Sequence, residues 1–318
     1  MRAIAAFIAA MAAFAGAAGA SAAQFTASKV SFEDVTADVR ITTTGGDAVD
    51  VVIRQGKTYH PVSVKLVDGE VVIAGERWRE DDGRDCCRDR IRRVENLQRD
   101  RVAAVGKPES DRKAFFEDYP VIEVSLPRKN DVTFTDARIL LAMQTIEGRL
   151  TLQGCYVYGE TADLGQATIG LVSGSRLAIG DVKSMLELDL SGAAALTGGD
   201  AAMADIDIAG PGEAMIGSVD GMLDVSIAGS GLARVARVDG PMTVRIAGSG
   251  ATSVQGGKAD KLTATIDGSG GVFHEGKAIS PTLRLYGSPT VRLGSVEGRI
   301  TRYGAGEVYV ADKLPGRP

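Results

Sequence analysis

A glycine-led turn recurs through the second half of this chain every 17–20 residues, and few folds tolerate so short and steady a period. The turn tripeptides are Gly210-Pro211-Gly212, Gly229-Ser230-Gly231, Gly248-Ser249-Gly250, Gly268-Ser269-Gly270, Gly287-Ser288-Pro289 and Gly304-Ala305-Gly306. Their first glycines lie 19, 19, 20, 19 and 17 residues apart, and weaker echoes stand before them at Gly154, Gly174 and Gly192. Such a period means one small structural unit per repeat, stacked on its neighbours.

The residues between the turns say what the unit is. Two and four places before each turn glycine stand Leu190 and Leu188, Ile208 and Ile206, Ile227 and Val225, Ile246 and Val244, Ile266 and Ala264, Leu285 and Leu283. Between them come Asp189, Asp207, Ser226, Arg245, Thr265 and Arg284. This period-two alternation is that of a strand with one buried face. A second strand follows each turn, with Ala214 and Ile216, Ala233 and Val235, and Val291 and Leu293 in apolar positions. One coil cannot bury its inner face, but consecutive coils bury each other's. Forty glycines against one Trp and eight Phe suit a stack of tight corners better than a globular core. The expected fold is all-β: a right-handed parallel β-helix, or solenoid, with coils of about 19 residues, preceded by a short-stranded β segment. The handedness follows the usual crossover rule. A propeller would need repeats about twice as long.

Aspartates form a second column at Asp163, Asp181, Asp200, Asp220, Asp239 and Asp260. A calcium ladder would need six to eight converging oxygens, and one Asp per coil supplies too few. They read instead as corner residues whose carboxylates accept backbone N–H groups two residues on.

The front of the chain differs. Short alternating strands at 39–41, 49–53, 62–66 and 71–73 are separated by Gly45-Gly46, Gln55-Gly56 and Asp68-Gly69, and look antiparallel. A further strand runs from Val121 to Pro127. Between them, residues 76–113 carry 22 of the chain's 77 charged side chains with alternating sign, which reads as a solvated insertion. The organisation is therefore a leader over 1–23, a β segment over 24–75, a charged insertion over 76–118 and a solenoid over 119–318, continuous with the β segment.

The leader rests on Arg2, the apolar run from Ile4 to Ala18 and the small residues Ala20-Ser21-Ala22-Ala23, which place a cleavage site just before Gln24. No later apolar stretch is long enough for a membrane span. The expected compartment is periplasmic or cell-surface. There, Cys155 pairs with Cys86 or Cys87 in a disulfide, leaving one thiol over. Zinc would need a fourth ligand, and His60 and His274 are the only histidines.

No catalytic, cofactor-binding or metal motif emerges. The Gly-Ser-Gly units recur in every coil without leading into a helix, so they are turns and not dinucleotide loops. His274 occupies an inner-face position and reads as a packed histidine. The outward column Asp189, Asp207, Arg245 and Arg284 mixes signs without a paired-acid arrangement. With a net charge of −5 and no basic stripe, nucleic acid is not the expected partner.

The chain resembles the putative auto-transporter adhesin head GIN domain family of exported bacterial β-proteins. The resemblance is carried by Phe32-Glu33-Asp34-Val35, Ala37-Asp38-Val39-Arg40-Ile41, Val49-Asp50-Val51, Asp68-Gly69-Glu70-Val71-Val72-Ile73, the strand Val121 to Pro127 and the Gly-Ser-Gly coils. The charged, cysteine-bearing insertion departs from that pattern. The resemblance implies adhesion and transfers no catalytic residue. The functional expectation is a non-catalytic, exported binding scaffold for a protein or glycan of the cell envelope. The alternative, a carbohydrate-active lyase or hydrolase, rests on fold analogy alone.

Overall fold

The computed structural model describes residues 21–58, 60–76, 115–172 and 174–311. It is a β-solenoid in which each coil stacks in parallel on the next. Side chains two residues apart enter the same interior. On the side that precedes each turn glycine, Leu152, Ile169, Leu188, Ile206, Val225, Val244, Ala264 and Leu283 stand in register. Leu171, Leu190, Ile208, Ile227, Ile246, Ile266 and Leu285 form a second column beside them. The side after the turn stacks Leu177, Leu196, Ala214, Ala233, Thr252, Val272, Val291 and Val308. A short third side, which the turn spacing alone does not announce, stacks Leu164, Val182, Ala201, Val219 and Val238. All of these side chains are buried. The coil is thus three-sided and filled.

The corner glycines stack directly on one another: Gly229, Gly248, Gly268 and Gly287 are register partners. Gly248 has φ +125°, and a Cβ there would lie 2.5 Å from the Gly229 carbonyl oxygen. That same oxygen accepts the N–H groups of Ser249 and Gly250, both at 2.9 Å. The corner is therefore closed by hydrogen bonds to the coil before it, and a side chain would stand in their way.

The N-terminal part is more interleaved than its sequence reads. Its strands are β1 (Ser21–Thr26), β2 (Lys29–Glu33), β3 (Thr36–Thr44), β4 (Ala48–Arg54), β5 (Ser63–Val67) and β6 (Glu70–Ala74), followed by β7 (Val121–Pro127), β8 (Asp131–Met143) and β9 (Ile146–Thr161). The expected antiparallel character holds for only some of them. β2 and β3 already form a coil that stacks in parallel on β8, which stacks on β9. β6 and β7 make a further coil on the opposite face of β2 and β3, also parallel. Only β1, β4 and β5 run antiparallel: β5 on β6, β4 on β7, and β1 on β4. These three close the end of the solenoid. Alternation specified which residues face inward, but it carries no information on the direction of the neighbouring strand.

Coil order along the axis therefore departs from chain order, since β2–β3 is sandwiched between β6–β7 and β8. Phe32 and Phe134 stack face to face there, with ring centroids 4.4 Å apart. The charged insertion lies between β6 and β7, within that outer coil, and its residues 77–114 are outside those described. At the other end, Arg302 is in register with buried Leu283 and bonds the Gly306 carbonyl.

Candidate binding surface

With the interior filled, the surface features lie on the outer sides. A groove of about 640 Å³ opens where β3, β8, β9 and the strand Arg176–Ile179 end side by side. Register puts Arg40, Ala142, Glu160 and Ala178 in one outward column. The next position inward holds Ile41, Met143 and Ile179, which floor the groove. Small side chains at Ala142, Ala178 and Gly180 leave the space that larger ones would fill.

The groups at its rim are directional. Asp38 holds the Arg40 guanidinium at 2.8 Å, and Glu123 stands 3.9 Å away. The hydrogen bond to Asp38 is the main reason the Arg40 pKa lies above its ordinary value. On the same side, Glu123 accepts a bond from Arg54 that lowers its carboxyl pKa. Gln144 Oε1 accepts the Thr43 N–H at 2.9 Å, which orients the amide and leaves its NH₂ group as a donor. Glu160 is exposed between its two alanine neighbours. The groove thus combines cationic and amide donors, a carboxylate acceptor and an apolar floor. None of these residues stands out in the sequence, because each is ordinary and only the register gathers them.

A second outer feature escapes the sequence pattern for a simpler reason. Five places before each turn glycine stand Glu187, Asp205, Asp224, Thr243 and Thr263, in register with one another. They run alongside the column containing Asp189 and Asp207. Five carboxylates from three consecutive coils therefore share one patch, with Arg245 bonded to Asp224 at 2.7 Å. Partial burial, followed by the charges of Asp207, Asp224 and Glu187, raises the Asp205 pKa. The two apolar columns frame only the position three places before the glycine, and the acidic column lies just outside that frame.

Four members of the aspartate column accept a backbone N–H from the next coil. Asp163 Oδ1 accepts the Asp181 N–H at 3.1 Å, Asp181 Oδ1 the Asp200 N–H at 2.9 Å, and Asp200 Oδ1 the Ser218 N–H at 2.6 Å. Asp239 Oδ1 does the same for Lys258 N at 3.1 Å. The expectation of bonds two residues on is corrected accordingly: parallel stacking brings the next coil's amide closer to the carboxylate than the local turn does. Asp260 differs, pairing with Lys258 at 2.7 Å. Among the described residues, no group of three or more His, Cys, Asp or Glu is placed to hold a metal, and no helix is long and apolar enough to cross a membrane.

The turn glycines Gly210, Gly229, Gly248, Gly268, Gly287 and Gly304 all have positive φ. Cys155 is buried within β9, which runs through Gly154-Cys155-Tyr156 as a strand, whereas the glycine spacing predicts a turn at this segment. Cys86 and Cys87 lie outside the described residues. The chain re-enters from the insertion beside this point. Phe115 and Phe116 pack on Tyr156 at 5.3 and 6.1 Å, and Phe115 on Tyr119 at 5.3 Å.

Both histidines are buried. His274 takes an inner-column place between Val254 and Leu293, with Nε2 3.2 Å from the Lys277 carbonyl and Nδ1 unpartnered. His60 Nε2 accepts the Thr36 N–H at 3.2 Å. Burial lowers both pKa values below the ordinary histidine value. Each ring is therefore neutral when folded and takes a proton more readily when unfolded. The stabilisation is fully present above about pH 6.5 and is lost as pH falls below it. The melting temperature is expected to drop more between pH 7 and pH 5.5, roughly the histidine range, in the parent than in a His274→Leu variant. Equal drops in the two proteins would contradict this account of His274.

No protein-family model matches the chain, and no curated protein matches it. Among solved structures, a putative adhesin from Parabacteroides distasonis ATCC 8503 aligns over 93% of this chain and 98% of its own, at 12% identity and a TM-score of 0.42. A putative lipid binding protein from the same organism aligns over 92% and 96%, at 13% identity and a TM-score of 0.38. A putative adhesin from Parabacteroides merdae ATCC 43184 aligns over 92% and 95%, at 10% identity and a TM-score of 0.32. At these scores the overlays carry no argument about what this chain binds.

Proposed function

We propose that the chain is an exported, non-catalytic scaffold that binds a glycan of the cell envelope on the outer side of its solenoid. The observation that carries this reading is the groove at Arg40, Gln144 and Glu160, where donors and an acceptor border an apolar floor. Hydroxyl-rich chains present matching donors and acceptors along an apolar sugar face. Open grooves of this kind suit extended ligands, and the filled interior leaves the outer sides as the surface for recognition. A protein partner is the other occupant of the same class.

One observation favours a different reading. A carboxyl with a raised pKa beside other carboxylates, as at Asp205, is the arrangement a glycoside hydrolase uses for a general acid. Incubation of the purified protein with neutral and uronic-acid polysaccharides separates the two. Retention without chain cleavage is expected, with affinity reduced about tenfold or more in Arg40→Ala and Glu160→Gln, the scale of one charged hydrogen bond. Cleavage that disappears in Asp205→Asn would replace the binding reading with the enzymatic one.

The same reading places Cys155 in a disulfide with Cys86 or Cys87. Its support is the docking of Phe115 and Phe116 on Tyr156, which returns the insertion's end to the neighbourhood of Cys155. Digestion of the exported protein without reduction is expected to yield a Cys155 peptide joined to the one that carries Cys86 and Cys87. A free Cys155 thiol in that digest would contradict it.

A further inference from the structure

Strand β1 runs through the point at which the sequence places the leader's end. Cleavage before Gln24 would remove Ser21, Ala22 and Ala23, and with them the pairs Ser21–Ile53, Ala22–Val52 and Ala23–Val51. That is half of the β1–β4 pairs among the described residues, the remaining ones being Gln24–Asp50, Phe25–Val49 and Thr26–Ala48. Among the described residues β1 pairs with β4 alone, so the loss would leave the β1-facing backbone groups of β4 in the stretch 51–53 without partners on that edge.

The side chains agree with the pairing. Ser21, Ala23 and Phe25 are half-buried, while Ala22, Gln24 and Thr26 are exposed. This alternation passes the Ala23–Gln24 bond without a break, so residues 21–23 belong to the same folded strand as residues 24–26. Three residues earlier the sequence offers another cleavage signal, Ala18-Gly19-Ala20, with a small side chain at both positions that a leader-cleaving protease reads. Cutting there leaves all six β1–β4 pairs among the described residues intact.

We propose that the leader ends at Ala20 and that the mature chain begins at Ser21. The protease hydrolyses the Ala20–Ser21 amide. Water adds across the C–N bond, the Ala20 carboxylate departs with the leader, and Ser21 keeps the new ammonium group at the start of β1. Gln24 then stays inside the strand, where its Nε2 donates to Asp50 Oδ1 at 2.7 Å.

This inference rests on the export reading, and the experiment distinguishes failure of one from failure of the other. The full chain is produced in a secreting host, and the exported fraction is characterised by intact mass and N-terminal sequencing. The expected start is Ser-Ala-Ala-Gln-Phe. An exported chain that begins at Gln24, or at any residue other than Ser21, overturns the site and leaves export standing. A chain that retains residues 1–20 and stays in the cytoplasm overturns both. Among variants, Ala20→Leu is expected to block processing at this bond and Ala23→Leu to leave it unchanged. The reverse pattern would assign the cut to Ala23.

Discussion

Hydrogen bonding between the backbones of successive coils is the interaction on which the rest of this molecule depends. Every coil hands its N–H and C=O groups to the coils on either side, which lets a chain with few large side chains bury an apolar interior. The demand is strictest at the corners. There the Gly229 carbonyl accepts two N–H groups from the coil above, in the space a Cβ on Gly248 would occupy. The aspartate column adds a side-chain version of the same link at another corner, as from Asp181 to the amide of Asp200. Both devices work along the axis, and both depend on a near-constant coil length. The period seen in the sequence is a direct consequence.

A stack of coils has two ends, and each exposes a ladder that needs closing. The N-terminal end is closed by returning the chain. After β2 and β3 form a coil, the strands that follow fold back beneath them as β6 and β7, and antiparallel β1, β4 and β5 finish the edge. The groove lies where β3, part of this returned end, meets β8 and β9, so the device that closes the end also supplies one wall of the candidate binding surface.

Much of the solenoid is legible directly in the sequence. Residues two and four places before each turn glycine are the interior columns, and the strand Val121 to Pro127 is β7. The register also follows from the turn spacing once parallel stacking is assumed. The pairing partners of β2, β3, β6 and β7 are not legible, because they depend on contacts between segments separated by a long insertion, and alternation is blind to strand direction. The groove is hidden for a related reason: Arg40, Ala142, Glu160 and Ala178 are far apart in the chain and meet only through that pairing. The acidic patch, in contrast, is within reach of the repeat. It lies in the column five places before each turn glycine, one outward position beyond the column framed by the apolar pairs.

The central claim is that backbone contact between coils, made through side-chain-free corners, holds the solenoid together. Thermal denaturation of Gly248→Val against Gly46→Val tests it most directly. Gly46 lies in a loop where a Cβ would meet no atom within 4 Å, whereas Gly248 has positive φ and the Gly229 carbonyl in the way. The account predicts a loss of at least about 1–3 kcal/mol at Gly248, the scale of backbone strain alone, and little change at Gly46. Equal melting of the two variants and the parent would contradict it.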